Sequence, residues 1–328
     1  MNFGLEFGLG KLSGTVDYYN RTIKDFILLT NIPGTSGFTQ QYKNAGSINT
    51  PGIEVSLNYN AVQAGGLSWT PGIVFSHYKT TLKSYLIDRA VIADFGSPGQ
   101  NGTYPILVQV GQPIGQIWGP VFDHASTGAG APDFGVAKGA PVFKDLNGNG
   151  VVDANPANAL LPGADMKVLG NGIPSVELGW TNRLAFKNWD MNIFFRGAFG
   201  HSLINQFRAF YEPIDPGAIN SYNRVKSSKS VAGLQQAQYS SLYVEKADFI
   251  KLDNMTIGYT FKTSESKLKS VRLYVSGQNL FVITKYTGID PEPSLTDAES
   301  GNVLAPGIDR RNNYYTARTF TFGLNVGF

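Results

Sequence analysis

The chain of 328 residues carries few charges and no cysteine. Its 27 Lys and Arg nearly balance its 24 Asp and Glu, which gives a net charge of +3, and charged residues are 16% of the total. This balance excludes a nucleic-acid binder, which needs a concentrated basic face. The absence of cysteine excludes a disulfide scaffold, a thiolate metal site and a cysteine nucleophile. An aromatic content of 12%, 38 glycines and no apolar run near the roughly 18 to 20 residues of a membrane helix together indicate an all-β protein.

Apolar residues at every second position dominate the chain. Such a period of two predicts strands with one apolar and one polar face, and because no comparable 3.6-residue period occurs, helices are expected to be minor. In chain order, the alternating runs cover 3–9, 12–18, 53–59, 67–75, 176–184, 189–199, 255–261, 271–275 and 320–328.

Strands with one apolar face fit either a soluble sandwich or a membrane barrel. Several runs reach the roughly 9 to 11 residues that a tilted strand needs to cross a bilayer. Aromatic residues collect beside the short turns, as in the girdles of membrane barrels. Charged residues within the predicted strands have the parity opposite to the apolar residues around them: Glu6, Asp17, Arg21, Glu54, Glu177, Arg183, Asp190, Arg196 and Arg272. A lipid-facing Arg near the bilayer centre costs about 2–4 kcal/mol, so this pattern suits a barrel, but a sandwich satisfies it as well. Together with the strand lengths and the aromatic positions, it favours the barrel.

Two runs contain lapses in the alternation. The apolar parity of 249–253 is reversed relative to Met255 onward, and Asn279 has the apolar parity of its own run. A β-bulge corrects either lapse by adding one residue to a strand, so we expect bulges at both places.

Short and long connections alternate along the chain, as periplasmic turns and outer loops do in bacterial barrels. The short ones are 10–11, 62–66, 187–188 and 263–270, and the long ones are 31–49, 84–174, 201–245 and 287–316. We therefore expect nine spanning strands, a periplasmic C-terminus, and one extracellular excursion over 84–174 with a strand-like stretch at 106–122.

Nine is an odd number, whereas bacterial single-chain barrels have even strand counts. An open sheet also leaves unpaired backbone groups in lipid. Met1 leads directly into the first alternating run, so no signal peptide is expected. The sequence therefore predicts one domain over 1–328 that is the C-terminal part of a larger barrel. A small ten-stranded barrel with one uncounted strand is the alternative.

A series of short motifs resembles the SusC/RagA branch of TonB-dependent outer-membrane transporters. They occur in family order at 17–25, 34–38, 44–48, 52–56, 111–115, 143–150, 274–281, 284–288, 290–291 and 317–328. The resemblance covers the chain from Asp17 to Phe328, and includes the motif Tyr-Val-Ser-Gly-Gln-Asn-Leu-Phe at 274–281 and the terminal strand.

This resemblance implies an antiparallel transmembrane β-barrel of 22 strands, of which about nine lie in this chain. It also implies an N-terminal plug domain, which is expected to be absent from this sequence together with the signal peptide and the first barrel strands. It implies import of oligosaccharides or peptides, driven by TonB and assisted by a SusD-like surface lipoprotein. Membrane lipid and the barrel-assembly machinery are the other expected partners, and nucleic acid is not expected.

The segment from Asp145 carries oxygen side chains at the spacing of a cation-binding loop. Asp145, Asn147, Asn149 and Asp153 occupy positions 1, 3, 5 and 9, a spacing that wraps a hard cation such as calcium. Pro156 stands at position 12, so the loop is no EF-hand. The alternative is a turn whose side chains form local hydrogen bonds. No cofactor is expected to be required, and calcium is the one candidate structural ion.

The C-terminal strand carries aromatic residues at Phe320, Phe322 and Phe328. A terminal Phe on an alternating strand resembles the signal that the barrel-assembly machinery reads, and it also suits an aromatic girdle. We expect these residues to serve both purposes.

Aromatic and cationic residues in the long connections are candidates for substrate binding. Rings facing water stack on sugars, and guanidinium groups bind carboxylates. The candidates are Trp118, Tyr211, Tyr222, Arg310 and Tyr314. The alternative for each is packing within the loops.

Catalytic motifs do not occur in the sequence. The three histidines at 77, 124 and 201 are widely spaced, and no nucleophile elbow, zinc-protease motif or P-loop is found. We therefore expect no enzyme activity. A surface adhesin or binding module and a small passive porin remain the alternative functions.

Overall fold

Strands make up most of the regular structure in this computed structural model. It describes residues 1–96, 100, 102–212, 224–236, 238–262, 268–293 and 303–328. The strands are β1 (Asn2–Leu9), β2 (Leu12–Asn31), β3 (Gln40–Tyr59), β4 (Val62–Ala64), β5 (Leu67–Tyr78), β6 (Thr81–Tyr85), β7 (Arg89–Ile92), β8 (Ile106–Gln109), β9 (Gln116–Pro120), β10 (Phe122–Ala125), β11 (Pro141–Phe143), β12 (Met166–Asn171), β13 (Val176–Phe186), β14 (Trp189–Phe199), β15 (Ser202–Asn205), β16 (Val244–Lys246), β17 (Phe249–Lys262), β18 (Ser270–Thr284), β19 (Ile308–Asp309) and β20 (Thr319–Gly327).

Helices are few and short, as the sequence predicts. The α-helix α1 spans Gln206–Tyr211, and single 3-10 turns lie at Gly34–Ser36, Ala131–Asp133, Pro156–Asn158 and Ser241–Tyr243. Among the described residues, no helix is both long and apolar enough to cross a bilayer.

Nine strands form one continuous antiparallel sheet that follows the chain order. The order is β1-β2-β3-β5-β13-β14-β17-β18-β20, with β4 added beside β5 and β6 beside β3. Two-residue turns join β1 to β2 and β13 to β14, and Gly10 opens the first of them with φ +61°, a conformation that favours glycine. Within the described residues, the nine crossing strands and their order are confirmed.

The two faces of this sheet differ in chemistry because neighbouring residues of a strand point to opposite sides. On one face, large apolar side chains are left uncovered: Leu5 is 64% exposed, Trp180 46% and Leu273 49%. We call this the lipid face. The strand register places the predicted charged residues on the other face, which we call the lumen face: Glu6, Asp17, Arg21, Glu54, Glu177, Arg183, Asp190, Arg196 and Arg272. The predicted separation of charge from apolar surface is confirmed.

Both predicted irregularities lie at one shift in register. The pairing of β14 with β17 shifts between Phe194 and Phe195, and β17 and β18 shift between Leu252 and Asn254. Asp253 is therefore an extra residue in β17. Apolar residues occupy even positions before it and odd positions after it. On β18 the same irregularity contains Asn279, whose φ is +52°. The bulge allows each strand to keep its apolar residues on the lipid face.

Aromatic rings gather at the turn end of the lipid face. Trp189 and Tyr259 lie 4.8 Å apart between ring centroids, and Tyr259 and Phe261 lie 4.6 Å apart, next to the turn between β13 and β14. Such rings suit the boundary between hydrocarbon and headgroups. The predicted girdle is confirmed here.

A polar side chain, that of Asn182, also lies on the lipid face. Asn182 pairs with Pro71 in the register that places Trp180 and Leu184 towards lipid, yet it is only 7% exposed. The indole of Trp69 covers it and donates a hydrogen bond of 3.2 Å to its Oδ1. The pair hides an amide that would otherwise be costly in hydrocarbon.

The connections after β6, β14 and β18 fold together into what we call the extracellular layer. They contain a four-stranded sheet, β12-β9-β8-β7, a two-stranded sheet of β10 and β11, and a three-stranded sheet, β16-β15-β19. The strand-like stretch predicted at 106–122 is confirmed by β8 and β9. One apolar core joins all three connections, because Phe95 and Ile117 of the first, Tyr243 of the second and Ile308 of the third pack in the same cluster.

The predicted loop over 31–49 is wrong. β2 continues to Asn31 and β3 begins at Gln40, so the connection is only 32–39. The extensions form because they bury apolar groups in the extracellular layer: Leu28 and Ala45 share a core cluster with Leu82 of β6. That burial depends on residues far along the chain.

We predict that two neighbouring positions of β18 face different solvents. Val275 is 43% exposed on the lipid face, whereas Ser276 lies on the lumen face, where it accepts a hydrogen bond from Thr256. Spin labels at Val275→Cys and Ser276→Cys, in the intact protein in lipid vesicles, would report the solvent at each site. We expect oxygen, which concentrates in lipid, to relax the label at 275 more strongly than the label at 276. Equal relaxation at both positions would contradict the assignment of faces.

Candidate functional site

A shallow groove runs along the lumen face and continues into a pocket beneath the extracellular layer. The groove encloses about 270 Å³ and is lined by Thr15, Asp17, Glu54, Ser76, Glu177 and Arg196, among others. The pocket encloses about 150 Å³ and is lined by Glu177, Arg196, His201, Phe249, Pro291 and Glu292, among others. We call them the wall groove and the junction pocket. Since Glu177 and Arg196 line both, they form one surface.

A row of three carboxylates crosses the wall groove. Asp17 on β2 lies directly opposite Glu54 on β3, and Ser76 on β5 separates Glu54 from Glu177 on β13 in the same row. Like charges directly opposite one another destabilise a sheet. No ion pair to any of the three is found among the described residues. The hydroxyl of Tyr78 donates to Glu177 Oε1 at 3.0 Å, so one oxygen of that group is held in place.

The cations of this surface are already neutralised. Arg196 donates from both terminal nitrogens to Glu292, with 2.8 Å from Nη2 to Oε2, and Lys251 lies 3.2 Å from the same oxygen. Arg196 also lies 3.4 Å from Asp253, the bulged residue. Burial alone would raise the pKa of Glu292, but the hydrogen bonds and charges of Arg196 and Lys251 outweigh it, and the pKa lies below its usual value. Glu292 therefore stays ionised and fixes the loop after β18 to the wall.

His201 lines the junction pocket and is almost fully buried. It is 3% exposed and lies edge-on to the ring of Phe249, with 6.3 Å between centroids. Its Nε2 lies 3.1 Å from the carbonyl oxygen of Pro291. Because a carbonyl only accepts, Nε2 carries a proton in this contact. Nδ1 has no hydrogen-bond partner among the described residues.

A buried ionic cluster holds the connections of the extracellular layer together. Arg208 of α1 and Glu245 of β16 have side chains only 3% and 4% exposed, and Nη1 of Arg208 donates to Glu245 at 2.8 Å. Lys229 and Thr287 also donate to Glu245, so the carboxylate joins the second connection to the third. Burial would raise the pKa of Glu245, but hydrogen bonds from Lys229, Arg208 and Thr287 outweigh it and lower the pKa.

A second buried carboxylate lies in the third connection. Tyr286 donates its hydroxyl to Asp309 Oδ2 at 2.7 Å, and Asn313 donates to Oδ1 at 2.9 Å. Burial raises the pKa of Asp309 above its usual value despite these hydrogen bonds. Burial, followed by the charge of Asp309, also raises the pKa of Tyr286, which keeps the hydroxyl protonated as a donor.

The aromatic and cationic candidates from the sequence lie apart from the groove. Trp118 donates to the carbonyl of Ala159 at 3.1 Å, and Tyr211 packs on Phe207 with 4.6 Å between centroids. Arg310 is 3% exposed and Tyr314 is 94% exposed. Tyr222 lies outside the described residues. The structure does not bring the four described residues together in the wall groove or the junction pocket, and their role in substrate binding stays a prediction.

The loop from Asp145 uses its oxygens for local hydrogen bonds. Asp145 accepts from the backbone of Gly148 and Gly150 at 2.7 Å each, and these bonds, that of Gly150 foremost, lower the pKa of Asp145. Asn147 and Asn149 each accept from the backbone two residues on, and Asp153 accepts from Asn158. In the described part of the chain, no three His, Asp or Glu side chains converge as metal ligands. Calcium binding stays a prediction.

The terminal aromatics project from the edge strand. Phe320, Phe322 and Phe328 are 61%, 79% and 80% exposed on the lipid face. This position suits contact with lipid or with another protein, and recognition by the assembly machinery stays a prediction.

Sequence reasoning identified the groove carboxylates as lumen-facing but not as neighbours. Glu292 and His201 were missed as members of one site. The signal for Glu292 is weak, because its partners Arg196 and Lys251 lie on two other strands and only their register brings them together.

The chain matches the family described as TonB dependent receptor-like, beta-barrel, over residues 1–280. The chain belongs to this family. Proteins of this family are β-barrels of the bacterial outer membrane, which accords with the lipid and lumen faces of the sheet. The predicted family and location are thereby confirmed.

Two relatives extend the match to the whole chain. TonB-dependent receptor P3 of Formosa agariphila is 28% identical over 355 residues, covering 100% of this chain and 34% of the relative. TonB-dependent receptor SusC of Bacteroides thetaiotaomicron is 28% identical over 349 residues, covering 100% of this chain and 31% of the relative. The chain thus spans about a third of the length of these relatives.

The fold has a close counterpart among solved structures. A structure of the RagAB peptide transporter superposes with a TM-score of 0.75 at 18% identity, covering 100% of this chain and 34% of that one. At this identity the likeness establishes the barrel fold.

We predict that Glu245→Gln loosens the extracellular layer. Removing one partner of a buried ion pair costs about 3–5 kcal/mol, because Arg208 is left charged and unmatched. Hydrogen exchange of the intact receptor should show faster exchange in α1, β15 and β16, with the strands of the wall unchanged. Asp123→Asn, which removes a half-exposed carboxylate beside His124 and Lys144, is the control and should have little effect.

The pH dependence follows from the lowered pKa of Glu245. Its contribution to stability is fully present above the ordinary value of 4.5 and is lost as the pH falls through the lower folded value. Exchange in the layer should therefore rise below pH 4.5 in the wild type and less so in Glu245→Gln. An unchanged layer in this variant would show that the cluster does not hold it together.

Proposed function

We propose that this chain is the C-terminal wall and extracellular layer of an outer-membrane importer of the SusC/RagA type. In this proposal the longer protein takes up oligosaccharides or peptides, with energy from TonB and with a SusD-like surface lipoprotein as partner. The names of the relatives support the proposal: one is the receptor SusC, and the structural counterpart is a peptide transporter.

The observation that carries the proposal is the division of one continuous sheet into an apolar face and a charged face. A passage for polar solutes needs a wall with a polar face towards a water-filled lumen and an apolar face towards lipid. The wall groove supplies carboxylates and hydroxyls along the lumen face, and the junction pocket continues this polar surface to the base of the extracellular layer. A soluble adhesin has no need to expose residues such as Phe322 and Leu324 along a whole sheet face.

The partners are assigned by the part of the molecule that each would contact. The extracellular layer, folded around its own core, offers a firm platform for the lipoprotein. TonB would act through the part of the protein that precedes this wall, and the barrel-assembly machinery would contact the terminal strand. We propose no catalytic role for any residue of the chain.

Uptake by the intact receptor tests this proposal. Cells that produce it with its lipoprotein should accumulate a labelled oligosaccharide or peptide, and deletion of TonB should reduce uptake to background. The control is the same pair of strains with a receptor-independent solute. Uptake that persists without TonB would support a passive porin instead. Correct insertion without any uptake across a panel of both substrate classes would support an adhesin.

A further inference from the structure

Two asparagine-glycine pairs follow one another in the loop from Asp145. Asn147 precedes Gly148 and Asn149 precedes Gly150, and all four residues are exposed. An asparagine followed by glycine readily loses its side-chain amide, because glycine has no Cβ to hinder the approach of its backbone nitrogen. Exposure also admits the water that completes the reaction. The sequence thus supplies two reactive pairs, and the contacts of the loop control how fast they react.

The reaction depends on the backbone nitrogen of the glycine. This nitrogen loses its proton and attacks Cγ of the preceding asparagine, the bond from Cγ to the amide nitrogen breaks, and ammonia leaves with the proton. Water then opens the resulting cyclic imide at either of its carbonyls, which gives aspartate or isoaspartate. Water is the only co-reactant, and no group is oxidised or reduced.

One carboxylate holds both of the required nitrogens. The backbone nitrogen of Gly148 donates to Asp145 Oδ1 and that of Gly150 donates to Oδ2, each at 2.7 Å. Attack requires the hydrogen bond to break, and a hydrogen bond to a charged group contributes about 1.5–3 kcal/mol. Removal of the proton would also leave a negative nitrogen beside the carboxylate, and a neighbouring like charge disfavours that form. Asp145 therefore opposes the first step at both pairs.

The two asparagines differ in how firmly their own amides are held. Oδ1 of each accepts from the backbone nitrogen two residues on, at 2.9 Å for Asn147 and 2.8 Å for Asn149. These bonds polarise the carbonyl and favour attack at Cγ. Nδ2 of Asn147 also donates to the carbonyl of Gly163 at 2.8 Å, whereas Nδ2 of Asn149 has no acceptor among the described residues. The amide of Asn149 is therefore the easier one to lose.

We propose that Asn149 is a deamidation site in the extracellular layer, that Asn147 is a slower second site, and that Asp145 restrains both. Conversion would place a new carboxylate beside Asp145, and at Asn147 it would also remove the donor to Gly163. Isoaspartate would in addition lengthen the backbone and move the glycine nitrogens away from Asp145. The inference concerns the chemistry of this loop and does not depend on the proposed import function.

Peptide mapping by mass spectrometry measures the rate of conversion at each pair in the intact receptor, incubated in detergent with a metal chelator. Folded wild type should convert Asn149 about ten- to a hundredfold more slowly than denatured wild type, the range for one hydrogen bond to a charged group. Asp145→Ala removes both acceptors and should abolish most of this difference. Asp145→Asn keeps the shape but loses the charge, and should give an intermediate rate.

The chain offers a control within the same molecule and a matched control variant. The pair Asn171-Gly172 is the internal control, because the backbone nitrogen of Gly172 donates to the carbonyl of Gly115 at 2.8 Å and not to Asp145. Its rate should be equal in the wild type and in both variants. Asp153→Asn removes a carboxylate of the same loop that accepts from Asn158 and from no glycine nitrogen among the described residues, and it should leave both pairs unchanged.

Equal rates at Asn149 in folded and denatured wild type would overturn the proposal. A rate at Asn149 that neither substitution of Asp145 changes would overturn it as well. Faster conversion of Asn171 in Asp145→Ala would show that this variant unfolds, and the isosteric Asp145→Asn would then decide. Faster conversion of Asn147 than of Asn149 in the folded wild type would contradict the assigned order.

Discussion

A bilayer offers no hydrogen-bond partner to the backbone, and this constraint governs the whole molecule. Every crossing strand must pair on both sides, so the chain descends and ascends as a meander in which each strand meets the next. The pleat then fixes the chemistry of the faces, because successive residues alternate between lipid and lumen. Apolar residues such as Leu273 need no internal core and remain exposed. Charged residues such as Arg196 are tolerated where water or a counter-ion meets them. The bulge at Asp253 shows how strictly the alternation is kept. After this one extra residue, the apolar residues of β17 change from even to odd positions and so stay on the lipid face.

Outside the bilayer the constraint is relaxed, and the extracellular layer follows the rules of a soluble protein. Its connections bury Phe95, Ile204 and Ile308 in one core, and a charged cluster around Glu245 lies beside it. The layer is tied to the wall at the junction pocket, where Glu292 of the loop after β18 binds Arg196. Because Arg196 and Glu292 also line the junction pocket, the position of the layer and the shape of that pocket are coupled.

The wall was predictable from the sequence because its determinants are local. A period of two, short turns such as 187–188 and parity lapses depend only on neighbouring residues, and they gave the strands, their order and the bulge. The contacts of the layer depend on residues far apart in the chain. The extension of β2 to Asn31 results from the burial of Leu28 against Leu82, Val108 and Leu304. These residues lie far along the chain, so no local pattern predicts the extension. The site was only partly predictable for the same reason. The sequence assigned Glu54 and Glu177 to the lumen face, but their shared row depends on the register of three strands. The position of His201 depends on a contact with Pro291, which lies in a distant loop.

Within the described sheet, β1 and β20 each pair on one edge only, so we expect further strands of the same protein to close this sheet into a barrel. The most direct measurement is the DNA sequence upstream of the codon for Met1. We expect an open reading frame that continues upstream in frame and encodes more strands of period two, preceded by a plug domain and a signal peptide. A stop codon and ribosome-binding site immediately before Met1 would contradict it, because the nine strands would then have no partners for their edges in lipid.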